Sequence, residues 1–326
     1  MLEKFLKFDK SKRGGDVKKM GSESFVDALI DEIREKKSIL CVGLDPQPQW
    51  IPKYLFEENE DPKEKIAHAI VRFNQAIIEA VKDFAVAVKL QIAFYEIHGA
   101  PGIWAFEETI KFAKKQRLLV IDDSKRCDGG DTAKFYAKGH LGKEGFNVDA
   151  MTVVPWTGWA GLEPFIKIVK EEGKGLFVVV KTSFRPNSAI EQMLTQDGTR
   201  VWEKTAEFVK EWAQGCEGRK SKLNNVGVVV GATYEQDAVK MRQIYPNGFF
   251  LVPGYGAQGG GAEGAVAGVR EDGLGVIVNS SRDINYAYLR KFKDKPENFA
   301  EAAERAAKFS RDELNQALKK KAKLPW

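Results

Sequence analysis

The sequence predicts a single α/β domain folded as a (β/α)₈ TIM barrel, with an extra helix ahead of the first strand. Three observations predict it. Short apolar runs recur along all 326 residues, amphipathic segments separate them, and no long linker interrupts the alternation. A chain of this length suits one α/β barrel and buries roughly three quarters of its unfolded surface. A doubly wound open sheet is the alternative arrangement of the same elements.

The expected strands cover 39–45, 84–91, 118–123, 148–154, 175–183, 225–231, 248–254 and 274–281. They carry Val, Ile and Leu at successive positions, as strands covered on both faces require. Between them, 64–84 places Ile66, Ile70, Phe73, Ile77 and Val81 on one stripe at helical spacing. Segments 104–116 and 199–215 repeat the pattern, and the stretch ENFAEAAERAAKFSRDELNQALKK reads as a closing helix. SESFVDALIDEIREKKS predicts a helix capping the barrel bottom, with Ser22 or Ser24 as its N-cap. Residues 1–20 read as an irregular leading segment, and 21–326 as the barrel.

Composition narrows the function classes. The 51 Lys and Arg against 46 Asp and Glu give a net charge of +5, with no dense basic block interleaved with aromatics. Nucleic acid is therefore not expected as a partner; a small phosphorylated ligand suits the balance. The three cysteines, Cys41, Cys127 and Cys216, form no CxxC pair and no even framework, which points to a reducing compartment. No apolar run reaches membrane-spanning length, so a cytoplasmic protein with no membrane partner is expected.

In a barrel, function collects at the carboxyl ends of the strands. Asp45 ends the first expected strand, Lys89 lies in the second, and Asp123 ends the third with Lys125 just beyond. Lys181, Thr182 and Ser183 close the fifth, PGYGAQGGG follows the seventh, and NSSRD ends the eighth. In extended backbone, Asp123 and Lys125 would share a face, and Asp128 would lie in the following loop. A lysine held among carboxylates stays protonated, as a general acid must; taken alone, the cluster is equally a surface ion-pair patch. The glycine-rich segment offers backbone N–H groups where a barrel binds phosphate.

The segment VIDDSKRCDGGDT, read as D-x-K-x-x-D-x-x-x-T over Asp123, Lys125, Asp128 and Thr132, resembles the signature of orotidine 5′-monophosphate decarboxylases. CVGLDPQPQWIP, KLQIAFYEIHG, TVVPWTGWAGLEPF, KTSFRPNSAIEQ, GVVVGATYEQDA and VPGYGAQGG resemble further segments of that family in order, over residues 25 to 310. The ensemble is most similar to the longer bacterial subgroup. The resemblance implies decarboxylation of orotidine 5′-monophosphate to uridine 5′-monophosphate without metal or coenzyme. It implies that Lys125 protonates C6, that Asp123 faces the substrate carboxylate, and that Lys89 and Asp128 complete the charge network. Asp45 and Lys89 would hold ribose hydroxyls, Ser183 the pyrimidine edge, and Gln258 and Arg282 the phosphate. Asp128 and Thr132 would reach the neighbouring subunit's site, making a homodimer the functional unit.

The sequence departs from the family pattern at Cys127, at Gly129-Gly130 and in PWTGWAG, which lacks an acidic residue after its glycine; none removes a charged member of the set. Two other catalytic readings and one binding reading compete. A Mg²⁺-dependent sugar-phosphate aldolase or synthase on the same barrel would need an acid where Lys89 stands. A phosphoribosyltransferase pyrophosphate loop would need hydroxyl and glycine residues where Lys125, Arg126 and Cys127 stand. A non-catalytic nucleotide-binding barrel would lack Lys125 or Asp123.

Overall fold

The computed structural model describes residues 24–57, 61–183, 190–256 and 259–326. Its strands are β1 (Leu40–Leu44), β2 (Ala87–Leu90), β3 (Leu119–Arg126), β4 (Ala150–Val153), β5 (Gly175–Lys181), β6 (Val226–Val230), β7 (Phe250–Val252) and β8 (Val276–Ser280). Each pairs in parallel with the next, and Cys41 of β1 sits beside both Ala87 of β2 and Asn279 of β8, so the sheet closes. Closure explains the unbroken apolar runs. One face of each strand fills the barrel, the other meets the helices, and neither sees water.

The surrounding helices are α1 (Phe25–Lys36), α2 (Pro62–Val81), α3 (Ala93–Glu96), α4 (Gly99–Lys115), α5 (Gly130–His140), α6 (Trp159–Glu172), α7 (Val201–Trp212), α8 (Glu235–Ile244), α9 (Ala262–Ala265), α10 (Arg282–Asn285) and α11 (Phe299–Lys320). In α2, Ile70, Phe73, Ile77 and Val81 are buried as the periodicity predicts; Ile66, a turn from the start, is only partly covered. Pro62 and the Asp61 carboxylate, which accepts the Lys63 amide, set the beginning of that helix. Helix α4 starts at Gly99, five residues before the expected boundary at 104. Helix α11 closes the barrel against α2, with Phe299 stacked on Phe73 at 5.1 Å between ring centroids.

The expected bottom helix is α1. Ser24 caps it by accepting the Asp27 amide, and Lys37 ends it in the left-handed region at φ 49°. The Phe25 and Val26 amides donate to the Gly173 carbonyl and to Asn225 Oδ1, just ahead of β5 and β6. Phe25 packs edge-on against Phe177 at 5.9 Å, so α1 covers the amino-terminal ends of the strands. The opposite end is left to the loops. Ser22 and residues 1–20 lie outside the described residues.

Candidate active site

Strand register assembles the polar cluster. Lys89 lies between Gly43 of β1 and Ile121 of β3, and two residues further along come Asp45, Gln91 and Asp123 on the same inward face. Gly43 is required here, because a Cβ at that position would lie 1.9 Å from Ser281 Oγ and 3.1 Å from Asn279 Oδ1. A side chain on β1 would thus displace the polar groups that β8 sends into the mouth.

Asp123 is the hub. Its Oδ2 accepts from Lys89 Nζ at 2.7 Å and Gln91 Nε2 at 3.3 Å; its Oδ1 accepts from Lys125 Nζ at 2.5 Å and Thr152 Oγ1 at 3.0 Å. Lys89 Nζ lies 4.0 Å from Asp45 Oδ1, an atom buried with no hydrogen-bond partner among the described residues. Burial opposes ionisation of Asp123, but the two ammonium groups override it and hold the carboxyl well below the usual aspartate range. For Lys89, burial pulls the other way from Asp123 and Asp45, and the two carboxylates keep it charged beyond the ordinary lysine range. The lysines differ in access: the Lys89 side chain is 6% exposed and that of Lys125 is 42% exposed. One ammonium is locked in the wall, while the other, also bound to Asp123, is carried on a side chain open to the mouth.

Lys125 reaches Asp123 by a route other than the expected extended strand. Asp122 pairs with Met151 and Arg126 with Val153, so β3 accommodates two extra residues against β4. Within this bulge Lys125 has φ 49°, and its amide donates to Thr152 Oγ1 at 3.0 Å. A lysine there costs about 1–3 kcal/mol of backbone strain, sustained by the surrounding contacts.

Asp45, Lys89, Asp123, Lys125, Ser183 and Arg282 line one cavity of about 400 Å³ at the carboxyl ends of the strands. Phe94, Val179, Val229, Leu251 and Pro253 form its apolar wall, and Gly254 and Tyr255 follow β7. That size and mixture fit a small organic ligand with a few fixed polar groups. Arg282 opens α10 just after β8, the neighbour of β1, and Ser183 follows β5 on the far side of the barrel from β1. The glycine-rich loop turns tightly: Gly256 has φ 77°, donates to the Gly260 carbonyl, and would bring any Cβ within 2.4 Å of Asp283 Oδ2. Gln258 lies outside the described residues. A larger cavity, about 500 Å³, lies beside Gly259–Gly264 and α11. It lacks the lysine–carboxylate cluster, and the smaller one is where the chemistry concentrates.

Three residues singled out in the sequence lie outside this cavity. Asp128 and Thr132 do not line this cavity: the Asp128 carboxylate accepts the Gly129 amide at 2.7 Å, and Thr132 lines a separate depression with Phe135 and His140. Lys181 is not at the mouth either; its Nζ meets Glu191 at 2.8 Å and Asp237 at 3.7 Å. Gln47, Gln91, Thr152, Asn279 and Ser281 join the site without having been singled out as site residues. Gln47 and Gln91 stand two residues past Asp45 and Lys89, so the strand period was the available signal. Among the described residues, no three His, Cys, Asp or Glu side chains group to hold a metal ion, and no helix is long and apolar enough to cross a membrane.

With this geometry in place, comparison with known proteins is specific. The profile of the orotidine 5′-phosphate decarboxylase / HUMPS family matches residues 38–293. Curated orotidine 5′-phosphate decarboxylases from Clostridium acetobutylicum and Caldicellulosiruptor saccharolyticus are 38% and 36% identical, over 90% of this chain and 99% of theirs. The solved orotidine monophosphate decarboxylase of Leishmania donovani superposes with a TM-score of 0.71 at 30% identity, covering 90% of this chain and 98% of that one. The chain belongs to the orotidine 5′-phosphate decarboxylase / HUMPS family.

Proposed function

We propose that this protein is a carboxy-lyase that converts orotidine 5′-monophosphate to uridine 5′-monophosphate and CO₂, in pyrimidine nucleotide synthesis. The observation that carries the reading is Asp123, a buried carboxylate gripped by Lys89 and Lys125 at the mouth of the barrel. Breaking the bond between C6 and the carboxylate leaves an electron pair on C6. A fixed ammonium there stabilises that charge without solvent rearrangement, then delivers its proton. Lys125 fills this role because it is the accessible cation; solvent returns its proton afterwards. Asp123 faces the departing carboxylate, and Lys89 keeps Asp123 ionised.

Asp45 and Lys89 receive the ribose hydroxyls, the orphaned Asp45 Oδ1 being a ready acceptor. Ser183 meets the pyrimidine edge, and Arg282 with Gln258 holds the phosphate. Phosphate binding remote from C6 then assists the chemical step. No metal or coenzyme takes part in this scheme, and Lys89 occupies the space between Asp45 and Asp123 where a cation would bind. The unit is a cytoplasmic homodimer in which Asp128 and Thr132 complete the partner's charge network. Their position outside their own cavity supports this, as do the strongly exposed Ile97, Phe135 and Trp156 nearby. The free cysteines Cys41, Cys127 and Cys216 accord with a reducing cytoplasm.

The test is loss of the ultraviolet absorbance of orotidine 5′-monophosphate on adding purified protein in EDTA. Turnover unaffected by EDTA is expected. No turnover, or an EDTA-sensitive aldol reaction on a sugar phosphate, would replace this reading with the Mg²⁺-dependent one.

A further inference from the structure

Behind the β3 bulge lies a second polar cluster that touches nothing in the cavity. Asp122 is fully buried, and its Oδ2 meets His140 Nδ1 at 2.5 Å. Arg126 Nε donates to His140 Nε2 at 3.2 Å, and its Nη2 donates to Glu96 Oε1 at 2.9 Å. Since Nε2 accepts from a guanidinium, the imidazole carries its proton on Nδ1 and donates it to Asp122. The Arg126 guanidinium also sits 5.3 Å from the centre of the Tyr136 ring, one turn before His140 on α5. Asp122 and Arg126 are the two residues in register with β4 on either side of the bulge. One imidazole therefore grips both shoulders of the segment that presents Asp123 and Lys125.

We infer that His140, with Asp122 and Arg126, is a positioning device that holds the strained β3 bulge and so fixes Lys125 for proton delivery. Stability alone does not call for it. Asp122 Oδ1 is buried with no partner among the described residues, and an apolar pair of similar volume would commonly be as stable or more so. Geometry does call for it, because a non-glycine residue at φ 49° is retained only where its surroundings over-determine it. Pulling from the outer face at Asp122 and Arg126, while Thr152 holds the Lys125 amide from the inner one, supplies that determination.

The inference rests on the decarboxylase reading for its kinetic arm only. In the double variant D122L/H140F, which removes both halves of the buried carboxylate–imidazole hydrogen bond while Arg126 keeps Glu96, the unfolding midpoint should stay at or above wild type. Its kcat on orotidine 5′-monophosphate should fall about 10–100-fold, as displacement of a reacting group by about 1 Å does. KM should remain within about two-fold, because ground-state contacts are untouched. A crystal structure of the variant should show Lys125 out of positive φ and its Nζ further from Asp123 than 2.5 Å. If the double variant fails to fold, H140N keeps the donor to Asp122, loses the acceptor for Arg126, and should lower kcat in the same sense. A kcat within about two-fold of wild type, or an unchanged bulge in the crystal, overturns the proposal. Absence of turnover in the wild type would instead sink the decarboxylase reading, and the crystallographic arm would still decide the role of His140.

Discussion

Removing the Asp123 carboxylate strands a charge whose cost can be worked from the structure. In Asp123→Ala, Lys89 loses its 2.7 Å contact and keeps only Asp45 at 4.0 Å. With an effective dielectric of about 20, those separations correspond to gross attractions of about 6 and about 4 kcal/mol. The larger is lost, while the 6%-exposed lysine recovers little hydration. Breaking one partner of such a pair costs about 3–5 kcal/mol. For a chain of this size that lowers the thermal midpoint by about 4–7 °C. Asp123→Asn, which retains an acceptor, should lose less.

The pH dependence of the loss carries the diagnostic sign. In the wild type, Asp123 is depressed, so its contribution is present above the ordinary aspartate value and disappears as pH falls through the folded one. Lys89 is raised, so its contribution is present below the ordinary lysine value and disappears as pH rises through the folded one. The pair is therefore constant between about pH 4 and pH 10. In Asp123→Ala, burial dominates Lys89 and depresses it, the unfolded chain binds more protons, and stability rises with pH. Thermal melts from pH 6 to 9.5 should show the two proteins converging. A variant that melts with the wild type, or a gap independent of pH, would refute the electrostatic account of the site.

Three further outcomes follow. Arg282→Ala should cut kcat/KM for orotidine 5′-monophosphate about 10–100-fold, the range for a lost hydrogen bond to a charged group. The phosphate-free nucleoside orotidine should be turned over equally by both proteins, and an equal loss on both substrates would remove Arg282 from phosphate binding. Lys174, pushed down to about 8 by burial and by Lys114, binds fewer protons folded than unfolded between that value and the ordinary lysine range. Its share of stability should increase with pH through that window, by about 3 kcal/mol in all. Lys174→Met should flatten this rise in denaturation measured at pH 7 and 10. Finally, mixing inactive Lys125→Ala and Asp128→Ala proteins should restore about a quarter of the sites, since a two-fold dimer puts both intact residues into one site of each mixed pair. No recovery after subunit exchange would argue that Asp128 serves its own chain.

The barrel was readable because burial on both faces leaves a direct mark: β1 and β6 are buried at every position, and their apolar runs show it. The mouth was readable at Asp45 and Asp123 because an acid ending such a run has no packing reason to be there. Elsewhere the signal lies outside the local sequence. Nothing in DDSKRCD announces a left-handed lysine; the bulge depends on Thr152 from the next strand and His140 from the following helix. Lys181 ends its strand in the same style as the site residues, yet Glu191 and Asp237, distant in sequence, claim it. The one-turn helices α3, α9 and α10 are too short to show a period. Asp128 and Thr132 lie in the same stretch as Asp123 and Lys125 yet outside the cavity, and no local pattern in the sequence separates the two pairs.

The most direct measurement is kcat for orotidine 5′-monophosphate in EDTA, wild type against Lys125→Ala, with thermal melts alongside. Because Lys125 is partly exposed and Asp123 keeps Lys89, the variant should melt close to the wild type. Its turnover should drop by at least about 10²–10⁴-fold, the contribution of a positioned proton donor. A folded Lys125→Ala protein with near-wild-type turnover would contradict the assignment of Lys125 as the group that protonates C6.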